Sequence, residues 1–149
     1  MQINGIAHIQ LTVTSFDACV QFYSRLMELF EMSLQYDEDD AKYWVGGRTG
    51  ILISRCAEPY QHERFVQGRV GLHHLCFRAR SREDVDRVYA VVQELGAKIV
   101  YPAREGSWAP GYYSVLFEDP DGIRIEVNHI PGKGNLDPSI QLPIRRPPT

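Results

Sequence analysis

His8-Ile9-Gln10-Leu11-Thr12-Val13 and His74-Leu75-Cys76-Phe77-Arg78-Ala79 are one sentence written twice. Each alternates, which is the period of a strand with two unlike faces. In the first copy Ile9, Leu11 and Val13 point one way, and His8, Gln10 and Thr12 the other. Each copy then runs into a helix signal. Thr14 or Ser15 offers a cap before Cys19, Phe22, Leu26, Leu29 and Phe30, which recur at helical spacing. Ser81, with Asp84 three residues on in capping-box position, precedes Val85, Val88, Tyr89, Val92 and Leu95. Gly96 then suits a helix stop.

Reading outward, the rest of each half also matches. After the first helix pattern, the acidic run Asp37 to Asp40 reads as a solvated loop or turn. Lys42 to Val45 and Gly50 to Arg55 read as strands joined around Gly46-Gly47. In the second half, Ile99 to Tyr101 is a short strand and Arg104 to Gly111 a loop. Tyr112 to Glu118 and Ile123 to Ile130 form a hairpin around Asp119-Pro120-Asp121-Gly122. Gly50-Ile-Leu-Ile-Ser54 matches Gly122-Ile-Arg-Ile-Glu126. The expected fold is α+β: two repeated βαβββ modules whose sheets form an open half-barrel cup. One domain of 1–130 divides into module one (about 1–57), a linker (58–70) and module two (71–130). A proline-rich tail, 131–149, carries no periodicity.

Bulk properties exclude several functions. A net charge of −3 lacks the basic footprint that nucleic-acid binding needs. No apolar run reaches the length of a membrane span, and the first residues lack the pattern of a signal peptide. Three cysteines, Cys19, Cys56 and Cys76, are an odd number without zinc-site spacing. They read as free thiols of a reducing compartment, so a cytoplasmic location is expected.

The helices must cover apolar strand faces. The opposite faces then carry His8, Gln10 and Thr12; His74, Cys76 and Arg78; Arg124, Glu126 and Asn128. A lone strand histidine is more often a hydrogen-bonded structural residue than a ligand. Here two histidines and one carboxylate occupy repeat-related positions on one face. Two imidazoles and a carboxylate are the makings of a divalent-metal centre with open coordination positions. By strand parity His73 falls on the helix side, where a structural role is expected.

The runs His8-Ile-Gln-Leu-Thr-Val, Phe22-Tyr23, Gly71-Leu-His-His74-Leu and Asp119-Pro-Asp-Gly-Ile-Arg-Ile-Glu126 resemble the vicinal oxygen chelate superfamily. This is the glyoxalase/dioxygenase fold family, which includes glyoxalase I, methylmalonyl-CoA epimerase, extradiol dioxygenases, and fosfomycin and bleomycin resistance proteins. The resemblance implies a metal at His8, His74 and Glu126, and a homodimer, sometimes with the cup built from two chains. It also exposes departures. Ser54 stands where glyoxalase-like members carry a fourth ligand, and Leu116 where extradiol and fosfomycin enzymes carry a tyrosine. Ser107 falls where extradiol enzymes place a catalytic histidine.

The expected function is therefore a divalent-metal enzyme acting on a small molecule that chelates through neighbouring oxygens. Fe2+ or Mn2+ is favoured, with Zn2+ or Ni2+ open. Ligand count favours dioxygenase-like chemistry, with a lyase or isomerase as the alternative. A metal-free, bleomycin-type binding protein is the alternative of another class. Gln10, Ser54, Arg78, Leu116, Arg124 and Asn128 are the expected substrate contacts. One of the arginines could instead pair with Glu118. Tyr112 and Tyr113 are candidate proton donors, though strand aromatics are ordinary.

Overall fold

The computed structural model describes residue 3 and residues 5–132. Beyond Gly132 the expected proline-rich tail lies outside the described residues. The element order is β1 (His8–Val13), α1 (Phe16–Leu29), β2 (Ser33–Glu38), β3 (Ala41–Gly46), β4 (Thr49–Arg55), a single 3-10 turn at Glu58–Tyr60, β5 (Leu75–Arg78), α2 (Arg82–Glu94), β6 (Lys98–Glu105), β7 (Tyr113–Glu118) and β8 (Arg124–His129). This is βαβββ twice. The sheets run β1-β4-β3-β2 and β5-β8-β7-β6. In each, the first strand pairs in parallel with the last, and the remaining pairs are antiparallel.

The chain divides into two units. The first holds the described residues through Val66 together with Asp119–Ile123; the second holds Gln67–Glu118 and the described residues from Arg124 on. In the first unit, Leu11 and Val13 of β1 and Ile51 and Ile53 of β4 are buried, as are Phe22, Tyr23, Leu26 and Met27 of α1. The chain entering α1 is held by Asp121 rather than by a side-chain cap from Ser15. The Thr14 backbone N–H and hydroxyl and the Ser15 N–H all donate to the Asp121 carboxylate. Arg64 pairs with it at 3.0 Å. Burial works against this charge, but the hydrogen bonds from Ser15 and Thr14 outweigh it and hold the carboxyl below its ordinary value.

In the second unit, the expected capping box is present in full: Ser81 accepts from the Asp84 N–H and Asp84 accepts from the Ser81 N–H, both at 3.1 Å. Val85, Val88 and Val92 of α2 are buried, as are Val115, Phe117, Ile125 and Val127 of β7 and β8. Each such side chain contributes about 1.5–3 kcal/mol on burial.

Three boundaries differ from the expectation. Asp37 and Glu38 lie in β2 rather than in a loop, and only residues 39 and 40 turn. Every β2 residue is exposed, so the strand shows no alternation to read. β6 runs to Glu105, well past the expected Tyr101, through two register shifts. β5 begins only at Leu75.

Candidate functional site

In the second unit Glu126 lies mid-strand in β8, opposite Cys76 of β5 and Leu116 of β7. Several polar groups converge on its half-buried carboxylate. His74 Nε2 lies 3.2 Å from Oε2. The Tyr112 hydroxyl donates to Oε1, Ser114 also bonds to the carboxylate, and the Cys76 thiol lies near it. Burial alone would raise the Glu126 pKa. The hydrogen bonds from His74, Tyr112 and Ser114 outweigh it and hold the carboxyl below its ordinary value. Burial, then the Glu126 charge, push the Cys76 thiol well up, although the residue as a whole is exposed.

Tyr112 is seated firmly. It is buried with Ala109 and Ile130, and its N–H donates to the Ala109 carbonyl at 3.1 Å. Its ring lies over Gly106, where a Cβ would come within 2.9 Å of Cδ1. Burial first, then the hydrogen bond to Glu126, push the phenol well above its ordinary value, so it keeps its proton at neutral pH.

A chain of polar side chains leads away from His74. His74 Nδ1 is 2.7 Å from His73 Nδ1. His73 Nε2 meets Gln67 Nε2, and Gln67 Oε1 accepts from Arg124 at 2.8 Å. Arg124 is anchored in turn by Glu118, its cross-strand partner, at 3.2 Å. Glu118 also holds Lys98 at 2.9 Å. His73 is thus exposed and beside His74, not a covered structural residue. Parity fails there because β5 has not yet begun.

His74 Nε2 and Glu126 Oε2 stand 3.2 Å apart, the separation of an ion pair or hydrogen bond. An imidazole nitrogen and a carboxylate oxygen are also suitable donors for a divalent cation. Among the described residues, no three His, Cys, Asp or Glu side chains gather into a group that could hold a metal ion.

The remaining expected site residues divide between the units. In the first, His8 opens β1 opposite Gly50. Its ring meets the edge of Tyr43 at 6.4 Å between centroids. A Cβ at Gly50 would overlap the Tyr43 ring, so the glycine makes room for it. Gln10 Nε2 donates to Ser54 Oγ at 3.2 Å. The strand register also corrects the repeat alignment. Gln10, two residues after His8, faces Leu52, whereas Cys76, two residues after His74, faces Glu126. The counterpart of Glu126 is therefore Leu52, not Ser54. The matched glycines mislead because Gly50 is already paired in β4 while Gly122 still lies in the turn before β8.

In the second unit, Leu116 pairs with Glu126 and Arg78 with Asn128. Arg78 is exposed, and Asn128 is buried beside the Tyr112 hydroxyl. Tyr113 is not brought to Glu126. It shares the β7 face of Val115 and Phe117, donates to Asp86 of α2 at 2.7 Å, and lies under the Arg82 guanidinium. Strand alternation separates it from its neighbour. Sequence reasoning missed Tyr43, Ser114, Gln67 and the contact of His73 with His74. Only the His73-His74 doublet carried a signal for the last.

A family model for the Glyoxalase/Bleomycin resistance protein/Dioxygenase superfamily matches residues 5–127. Over 121 residues the chain is 28% identical to the uncharacterised protein YqjT of Bacillus subtilis (strain 168), covering 80% of this chain and 94% of that protein. It is 29% identical over 126 residues to the metallothiol transferase FosB of Shouchella clausii (strain KSM-K16), covering 85% and 80%. Among solved structures, a candidate glyoxalase from Bacillus halodurans superposes with a TM-score of 0.76 at 27% identity, covering 85% of this chain and 96% of that one.

Proposed function

The chain belongs to the Glyoxalase/Bleomycin resistance protein/Dioxygenase superfamily, and on that premise we propose that it is a divalent-metal-dependent enzyme acting on a small substrate that chelates through neighbouring oxygens. The observation that carries this reading is the His74 Nε2 to Glu126 Oε2 separation of 3.2 Å, with the Tyr112 hydroxyl on the same carboxylate. His74 and Glu126 would hold the metal with His8, the repeat counterpart of His74. When bound, the metal supplies Lewis-acid polarisation and a site for the substrate's paired oxygens.

The chain's own residues do the rest. Tyr112 is a protonated hydroxyl at the carboxylate and serves as the proton donor. Arg78, exposed on the strand beside Glu126's own, gives an anionic substrate group a cation to meet. Cys76 keeps its proton and lines the site as a neutral group. Leu116, opposite Glu126, keeps one wall apolar.

Group transfer to a metal-held substrate is the favoured reaction class, supported by the likeness to a protein named as a metallothiol transferase. Dioxygenase-like chemistry is the second reading and rests on the three proposed donors, His8, His74 and Glu126. The test is a paired assay of protein loaded with iron, manganese, nickel or zinc. Thiol consumption with oxygen-chelating electrophiles, and no oxygen uptake with catechol-like compounds, supports group transfer; the reverse pattern supports the second reading. In either case Tyr112→Phe should lower kcat by about a hundredfold while the metal content is unchanged. An unaltered kcat removes Tyr112 from the chemistry.

A further inference from the structure

We propose that Tyr101 and Arg104 of β6 form a specificity subsite: they hold the terminal carboxylate of a substrate whose apolar body crosses Leu116 from the reacting end at Glu126. The juxtaposition is two rows of side chains across one face of the second sheet. Tyr101 pairs with Leu116, and Leu116 with Glu126. In the next row Arg104 pairs with Ser114, and Ser114 with Asn128. Cross-strand partners share a face. This one is opposite the face on which Tyr113 reaches Asp86 of α2. In the order β5-β8-β7-β6, β6 lies two strands from β8, a span of about 10 Å.

Residues three apart on an unbroken strand point to opposite faces, so spacing alone would part Tyr101 from Arg104. The register of β6 slips between them: three steps on β6 answer two on β7, from Leu116 to Ser114. That is a bulge, and bulges re-aim side chains beside functional sites. Pro102 sits inside it, where an edge strand can spare a backbone donor. The bulge turns both side chains to one face. The Arg104 guanidinium lies over the Tyr101 ring, 4.1 Å from its centroid.

Two other arginines stack on aromatic rings, and each has a carboxylate. Arg55, over Phe16, pairs with Asp17, and Arg82, over Tyr113, pairs with Glu105. Arg104 has no carboxylate partner among the described residues. Its neighbour Glu105 serves Arg82, and Glu118 serves Arg124 and Lys98. The ring thus orients a guanidinium whose donors remain open. Such a fork matches the two oxygens of a carboxylate. Arg78, the cation at the other end of the row, stands on the opposite edge of the sheet. A lone guanidinium suits a singly charged carboxylate rather than a phosphate dianion. Tyr101 is 45% exposed and Leu116 half-buried, so together they offer an apolar path from Glu126 to the fork. The assignment rests on the reading above, in which the reacting end lies at Glu126.

Two titrations of the full chain test this. Hydrocinnamate has the apolar body and the carboxylate but no chelating oxygens. It is added to metal-free protein and followed by the arginine Nε–H signals in nitrogen–proton spectra, the Arg104 signal being assigned by its loss in Arg104→Gln. Dihydrocaffeate and its neutral amide add the paired oxygens, and calorimetry follows their binding to Zn2+-loaded protein. Hydrocinnamate should shift the Arg104 signal. Dihydrocaffeate should bind about tenfold tighter than its amide, the scale of a charge-assisted hydrogen bond. Arg104→Gln should abolish that preference, and Tyr101→Ala should weaken acid and amide alike. An Arg104 signal that neither acid moves, as when a second copy of the chain covers this face, overturns the subsite. So does a preference that survives Arg104→Gln. Failure of the metal reading looks different: Arg104 responds to hydrocinnamate, yet zinc adds nothing to dihydrocaffeate binding. Zinc-dependent binding with acid and amide equal keeps the metal and removes the subsite.

Discussion

Replacing Asp119 by Asn should make the protein more stable at pH 8 and flatten the dependence of its stability on pH. Asp119 is only 5% exposed. Its Oδ1 accepts from the Asp121 N–H at 2.9 Å and the Ile123 N–H at 2.8 Å, and its Oδ2 accepts from the Tyr23 hydroxyl at 2.8 Å. Burial outweighs these three donors and pushes the carboxyl from 3.8 up to about 6. In the unfolded chain the group ionises near pH 3.9, and in the folded one only near 6. Between those values the folded state binds more protons, so stability falls as pH rises. At about 1.4 kcal/mol per pH unit, the two-unit window amounts to about 3 kcal/mol, fully lost above pH 6. Asparagine removes the charge and keeps the contacts: its oxygen serves the two backbone donors, and its NH2 faces a hydroxyl that can accept. The Tyr23 proton must find another acceptor, so a net gain of about 1–3 kcal/mol at pH 8 is expected, vanishing near pH 4. Urea denaturation of both proteins at pH 4, 5, 6 and 8 and fixed ionic strength reads the difference. A variant less stable than the wild type at pH 8, or one with the same slope from pH 4 to 6, refutes the reasoning.

Asp121, two residues on, should behave oppositely. Asp121→Ala strands the Thr14 and Ser15 N–H groups and should cost about 2–3 kcal/mol at pH 7 in the same denaturation. Because the folded carboxyl lies below its ordinary value, its stabilisation is present above about pH 4 and lost as pH falls through the folded pKa. The gap to the alanine variant should therefore shrink in acid; a constant gap would assign the loss to packing. Ser81→Ala removes half of the α2 capping box and should cost about 1 kcal/mol, with Ser81→Thr close to neutral. A drop of the same size in both would point to the backbone instead.

Much of the fold was legible because the repeated histidine strands each led into an amphipathic helix, and because Ser81 and Asp84 spelled out a cap. The pairing of Arg124 with Glu118 was also within reach, since both flank the Asp119–Gly122 turn. β2 escaped because an edge strand exposed on both faces has no alternation, and its acidic end imitates a loop. The Ser54 equivalence failed because sequence matching cannot see that one hairpin turns in two residues and the other in five. The Gln67–His73 arm lay hidden for a different reason. Gln67 sits in an irregular stretch without periodicity, and strand parity was applied to His73 two residues before the strand begins. Side-chain relays formed outside regular elements leave no spacing to read.

A divalent ion with His8, His74 and Glu126 as its ligands is what we propose. Metal analysis of full-length protein purified without chelators tests it directly. About one ion per chain is expected in the wild type, falling below about a tenth in folded His8→Ala, His74→Ala and Glu126→Ala. A wild type with only traces of metal, or a content untouched by His74→Ala, contradicts it.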